Sequence, residues 1–291
     1  VCSLVNYDPA DGHAGAQKLS MVLAMFHTAF NVCNTFILIW FIPQMEKAVC
    51  RIIKMKRRDE DEDSRLRFIS SGIMQTPELS VLEARKEITL FAERIQRMFS
   101  MVRDLLETNN DADFAKLFAR IEKYESISDN MEIEIAKYLD NVSNAHLSDE
   151  TKAKIRVMLR EISEIESIGD SCYNIARSIN RKIKGKEDFT EEQYQHLHQM
   201  FSLTNDSIAQ MNVIISGRKD NLDVNRSFNI ENEINNYRTQ LKSQNINDVN
   251  DHKYTYAIGT MYMDIVSECE KLADYVVNVV EVHMGTRQRE A

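Results

Sequence analysis

The sequence predicts an all-α chain: a transmembrane helix segment followed by an antiparallel pair of three-helix bundles. Three observations carry that expectation. Residues 19–45 hold no charged side chain. From residue 77 onward apolar residues recur at spacings of three and four, as in Ile155, Met158, Leu159, Ile162 and Ile165. That is the period of a helix with one buried face. Three prolines and eight glycines in 291 residues leave long stretches uninterrupted, and strand-like alternation is absent.

Residues 1–17 are a polar lead-in, and the charge-free run LSMVLAMFHTAFNVCNTFILIWFIPQM follows. At 1.5 Å rise per residue, about 20 residues cross a bilayer's hydrocarbon core. His27, Asn31 and Asn34 interrupt the run at i, i+4 and i+7, so they share one helix face. A polar face at bilayer depth is costly and should look into a protein interior or wet cavity. The alternative is an amphipathic core helix of a soluble protein. Lys47, Arg51, Lys54, Lys56, Arg57 and Arg58 lie close behind the run, which places that end in the cytoplasm. Trp40 and Phe41 suit the headgroup region at the same end. The chain begins at Val1, and one spanning helix with a polar face predicts partner membrane segments upstream.

Residues 1–58 carry seven bases against three acids, net +4, so the other 233 residues carry −13 of the overall −9. Such acidity excludes a nucleic-acid-binding role. The five cysteines form no CxxC pair, and Cys172 and Cys269 fall in apolar helical patterns as reduced core residues. The sign of charge flips abruptly at RRDEDEDSR, so residues 59–76 read as a solvated linker between a membrane part, 1–58, and a helical domain, 77–291. Helices are expected near 77–108, 111–145, 149–184, 190–217, 219–246 and 251–284. Pro77 starts the first of these. The Asn109-Asn110-Asp111, Ser148-Asp149-Glu150 and Thr190-Glu191-Glu192 runs offer N-cap chemistry, and Gly185 and Gly217 sit at C-terminal cap positions.

The two halves of this domain repeat. Glu166, Asp170 and Asn174, each four apart, recur as Glu270, Asp274 and Asn278, and Glu125 with Asp129 recurs as Glu231 with Asn235. Acids four apart project from one helix face. Two helices presenting such pairs to each other gather three or four carboxylates, which repel unless cations or protons sit among them. Oxygen clusters of this kind suit magnesium, manganese or iron. Candidate metal ligands are therefore Glu125, Asp129, Glu166, Asp170, Glu270 and Asp274, with Glu231 weaker because Asn235 supplies no charge. An exposed acidic stripe is the alternative reading of the same spacing. No nucleophile–base pairing and no Gly-rich phosphate loop is present, so the chain is not expected to be an enzyme.

The segments YESISDNMEIEIAKYL, EIESIGDSCYNIARSI and ECEKLADYVVNVVEV resemble helices of the PhoU family, built of two three-helix bundles. The resemblance implies repeated acidic motifs able to hold iron, manganese or zinc. MVLAMFHTAFNVCNTFILIWFIP resembles the HTxFN segment of bacterial sodium/phosphate cotransporters, and TPELSVLEARKEITLFAERIQRM resembles the connection to a fused PhoU-like domain. The fusion implies the C-terminal portion of a sodium-dependent inorganic phosphate cotransporter, multi-pass in the inner membrane, with a cytoplasmic regulatory domain. His27, Asn31 and Asn34 would then line or brace the transport interior. Phosphate and sodium would be its small partners, and a homodimer is admitted. The alternative is a membrane-anchored PhoU-like phosphate-signalling or scaffold module that does not itself transport.

Overall fold

The computed structural model describes residues 23–37, 41, 66–69, 76–144, 147–185, 187–217 and 223–290. The chain divides between Arg58 and Asp59 into two compact units. In the first unit, residues 23–37 are helical and all of them are exposed. Fifteen residues at helical rise reach about 22 Å, short of a hydrocarbon core of roughly 30 Å. No helix among the described residues is long and apolar enough to cross a membrane. The expected transmembrane helix over 19–45 is corrected to that extent: its described part is too short and carries His27, Asn31 and Asn34. The remainder of that run, apart from Phe41, lies outside the described residues, as does the basic cluster through Arg58.

Among the described residues of the second unit there are six long helices: α1 (Pro77–Glu107), α2 (Asp111–Ser143), α3 (Asp149–Lys184), α4 (Glu191–Ser216), α5 (Val224–Asn250) and α6 (Tyr256–Glu290). No strand occurs among the described residues. Their ends are chemically marked. The Asn110 side-chain oxygen accepts from the backbone N–H of Ala112 at 2.9 Å and of Asp113 at 3.3 Å. Ser148 Oγ accepts from Thr151 N–H at 3.2 Å. Thr190 and Gln193 form a reciprocal capping box. Gly217 closes α4 with φ 61°, where a side chain would be strained. The expected ends of the last two helices shift. α5 starts at Val224 behind an Asp223 cap and runs on to Asn250. The chain then reverses over residues 251–255 with His252 at φ 57°, and Thr255 Oγ1 accepts from Ile258 N–H at 3.3 Å. Asp251 therefore ends one helix instead of starting the next.

The helices pack as two three-helix bundles, α1–α2–α3 and α4–α5–α6, joined along a broad α3–α6 seam and a narrower α1–α4 one. Register along the α3–α6 seam is antiparallel. Arg181 donates to Asp264 at 2.6 Å, Asn278 to Glu164 at 2.9 Å, and His283 pairs with Glu161 at 2.8 Å. Residue numbers thus rise on α6 as they fall on α3. Between these polar ties lie Ile165, Ile168, Cys172, Ile175 and Ile179 from α3 against Ile265, Cys269, Leu272, Val276 and Val279 from α6, all buried. Both cysteines are free thiols, as the apolar pattern around them predicts. Across α1–α4, Phe99 and Phe201 meet edge to face at 5.7 Å. Each such large side chain, fully buried, contributes about 1.5–3 kcal/mol of transfer free energy.

Candidate metal centre

The α2 helix spends two of its faces differently. Ile121, Tyr124, Ile127, Ser128, Met131 and Ile135 are buried. Glu122, Glu125, Asp129 and Glu132, spaced three, four and three apart, form an acidic row beside them. Glu166 and Asp170 stand one turn apart on α3. Gly169 lets the two helices close. A Cβ there would lie 3.0 Å from both Ser128 Oγ on α2 and Ile95 Cδ1 on α1. The approach brings one carboxylate oxygen each from Glu125, Asp129 and Asp170 within 4.8 Å of one another.

Electrostatics record the crowding. Burial, then the charges of Asp129, Asp170 and Glu122, raise the Glu125 carboxyl above its ordinary range. Burial, then Asp170, Glu132 and Asp129, push Glu166 up to about 7, against a small opposing effect of the Ser167 hydroxyl. Asp170 is raised by burial and Asp129, while a hydrogen bond from Glu166 lowers it. Glu268 on α6 also raises Asp170, so the second bundle contributes to the field at this site. When Glu166 holds its proton it can donate to Asp170 one turn away. A cation placed among these oxygens relieves the same repulsion that a proton relieves. Oxygens bound to one ion at about 2.1 Å stand at most about 4.2 Å apart, so a slight side-chain adjustment fits the trio to a metal. The all-oxygen donor set matches hard cations.

The repeat-related set converges less well. Glu231 and Asn235 lie on α5, Glu270 and Asp274 on α6. Burial, then Glu270 and Glu231, raise Asp274, and Arg238 opposes them. The Asn235 amide N–H donates to Glu231 Oε1 while its own carbonyl oxygen is buried without a hydrogen-bond partner. An amide and an arginine thus stand where the first set has acids alone. Among the described residues only the first set brings three ligand oxygens together.

Residues 88–179 match the family model of the PhoU domain. That range contains Glu125, Asp129, Glu166 and Asp170 but none of the second set. The chain is 25% identical over 124 residues to proteins described as phosphate-specific transport system accessory protein PhoU homologs, from two strains of Streptococcus pneumoniae. The alignment covers 43% of this chain, and the chain spans about half the length of those relatives, 56%. The crystal structure of the phosphate transport system regulatory protein PhoU from Streptococcus pneumoniae superposes with a TM-score of 0.62 at 18% identity. It covers 74% of this chain and 98% of the crystallised one. The fold of the helical unit is therefore PhoU-like.

Sequence spacing finds Glu125, Asp129, Glu166 and Asp170 but passes over three neighbours. Glu122 and Glu132 extend the same helical row and were visible in it; Glu122 also accepts from Tyr173 OH at 3.1 Å. Glu268 reaches the site only through the α3–α6 seam, which has no local signal. His27, Asn31 and Asn34 are helical and exposed in the first unit. Nearby, Phe26 and Phe30 stack at 6.3 Å and are exposed as well.

Proposed function

We propose that the chain is a PhoU-like phosphate-signalling module that regulates phosphate transport without transporting or catalysing, and that it does so from the cytoplasmic face. The observation that carries this reading is the trio of converging carboxylates within the stretch that matches the PhoU domain. Glu125, Asp129 and Asp170 would hold a cation of the magnesium, manganese or iron type; zinc suits an all-oxygen set less well. The ion would neutralise the cluster and tie α2 to α3. Glu166 would tune that tie, since it gains a proton as pH falls through about 7 and thereby removes one of the negative charges that attract the ion. The Asp129–Asp170–Glu268 field extends the effect across the seam to α6.

A second reading, the C-terminal end of a sodium-driven phosphate cotransporter, is favoured by one observation: the helix over 23–37 leaves Leu23, Phe26, Phe30, Phe36 and Ile37 all exposed. Such a surface suits lipid or partner helices. Under it, His27, Asn31 and Asn34 would face the transport interior, with sodium as the coupling ion. One measurement separates the readings. Cells carrying Asp170→Asn should keep their capacity for uptake but fail to adjust its rate to external phosphate. Loss of sodium-driven uptake in cells carrying His27→Ala or Asn31→Ala, at matched protein levels, would establish the transporter reading instead.

A further inference from the structure

The two acidic sets part company on one helix. Glu122, Glu125, Asp129 and Glu132 form the acidic row of α2, and the residues 106 further along are Phe228, Glu231, Asn235 and Arg238 of α5. Both rows keep the spacing three, four, three, so each lies along one helix face. The acids opposite them match in kind: Glu166 and Asp170 on α3, Glu270 and Asp274 on α6. On the row itself, four negative charges on α2 become no net charge on α5, and the last member changes from glutamate to arginine.

The structure shows the substituted residues at work. Burial, Glu270 and Glu231 raise the Asp274 carboxyl, and Arg238 opposes them. In the first set Glu132, at the matching position, adds instead to the crowding on Glu166. Lys271 stands where the first set has Ser167, but it is paired with Glu268 at 2.8 Å. Arg238 is half-buried, and its Nε is shut from solvent without a hydrogen-bond partner. The Asn235 amide spends an N–H on Glu231 Oε1, which takes up part of that carboxylate's capacity to accept. Affinity of an oxygen site for a hard cation rises with the number of charged ligands. An incoming metal can displace a proton from a carboxyl, but a guanidinium keeps its charge and cannot give way like that. We propose that Arg238 is the resident counter-cation of the second acidic set and excludes a metal ion from it. The two bundles then answer differently to divalent cations although their folds repeat. The inference concerns the second bundle and stands whether or not the α2–α3 trio holds an ion.

The test is titration of the full chain with manganese, with elemental analysis of the gel-filtered protein. Asp170→Asn is carried throughout to weaken the first set. In that background little binding is expected. Adding Asn235→Asp with Arg238→Glu restores the charges of the first set, and should tighten manganese binding by more than about tenfold. A further Asp274→Asn should abolish the gain, which locates the ion. Arg238→Gln should give a smaller gain, and Arg238→Lys, which keeps the charge, should give none. That pair separates charge from packing, and Arg238→Gln keeps the question readable where the double substitution does not fold. Thermal melting checks each variant, and manganese should raise the melting temperature of those that gain a site. Manganese binding in the Asp170→Asn chain that Asp274→Asn removes would overturn the proposal. So would no gain in either Arg238→Gln or the double variant, or an equal gain in Arg238→Lys and Arg238→Gln. Negligible binding by the parent chain would contradict the α2–α3 centre alone, since the gain in the double variant would still support the role of Arg238.

Discussion

Glu166 shows how a single side chain couples charge to stability. Its carboxyl is raised from 4.5 to about 7 in the folded chain, so the folded state holds that proton more tightly than the unfolded one. The resulting stabilisation is complete below about 4.5 and is lost as pH rises through about 7. Glu125 and Asp170 are raised in the same direction. Metal-stripped protein should therefore lose melting temperature as pH rises from about 4.5 to about 7 relative to Glu166→Gln, and an added divalent cation should remove that difference. An identical pH profile for the two proteins would contradict the crowding. A second residue-scale prediction concerns Glu161, which is fully buried between the Arg85 guanidinium and His283. Glu161→Ala strips two partners at once. The expected cost is about 3 kcal/mol, at the low end for a broken buried pair because Arg85 keeps some solvent exposure. Denaturant melts check it. Neither of these sites was equally legible. The four acids on α2 and α3 stand at helical spacing and could be read directly. Glu161 meets an arginine 76 residues before it and a histidine 122 after it, and nothing local announces such a meeting.

At the scale of elements, legibility followed local chemistry. α1 to α4 begin and end where proline, Asn110, Ser148, Thr190 and Gly217 mark them. The α5–α6 turn lies later than expected: Thr255 caps the start of α6, and His252 takes the left-handed conformation without glycine. The capping box of α4 supplies a direct test. Thr190→Ala should cost about 1 kcal/mol. For a unit of this size that lowers the melting temperature by roughly 2–4 °C. A change indistinguishable from zero would mean that solvent replaces the cap. The antiparallel α3–α6 seam was the least visible feature of all. Both helices are apolar on more than one side, and periodicity shows that a face is buried without naming its partner.

On the scale of the whole molecule, two units with different needs share one chain. The helical unit buries most of its large apolar side chains, with isoleucine and valine along the α3–α6 seam and phenylalanine across α1–α4. The helix over 23–37 leaves its apolar residues exposed. The helical unit's PhoU-like fold was legible because the 3.6-residue period and the internal repeat both pointed to paired three-helix bundles. A membrane span was not established by the same reading, since a charge-free run sets an upper bound on helix length and the described helix is shorter. The regulatory reading depends most on the cation at α2 and α3. Manganese or magnesium binding should be measured on the purified full chain by elemental analysis and titration, beside Asp129→Asn and Asp170→Asn. The result expected is one ion held by the parent chain at neutral pH, with affinity reduced more than about tenfold in each variant and less affected by Asp274→Asn. Equal, negligible binding by the parent and both variants would show the carboxylates to be a solvated acidic stripe and would contradict the metal centre.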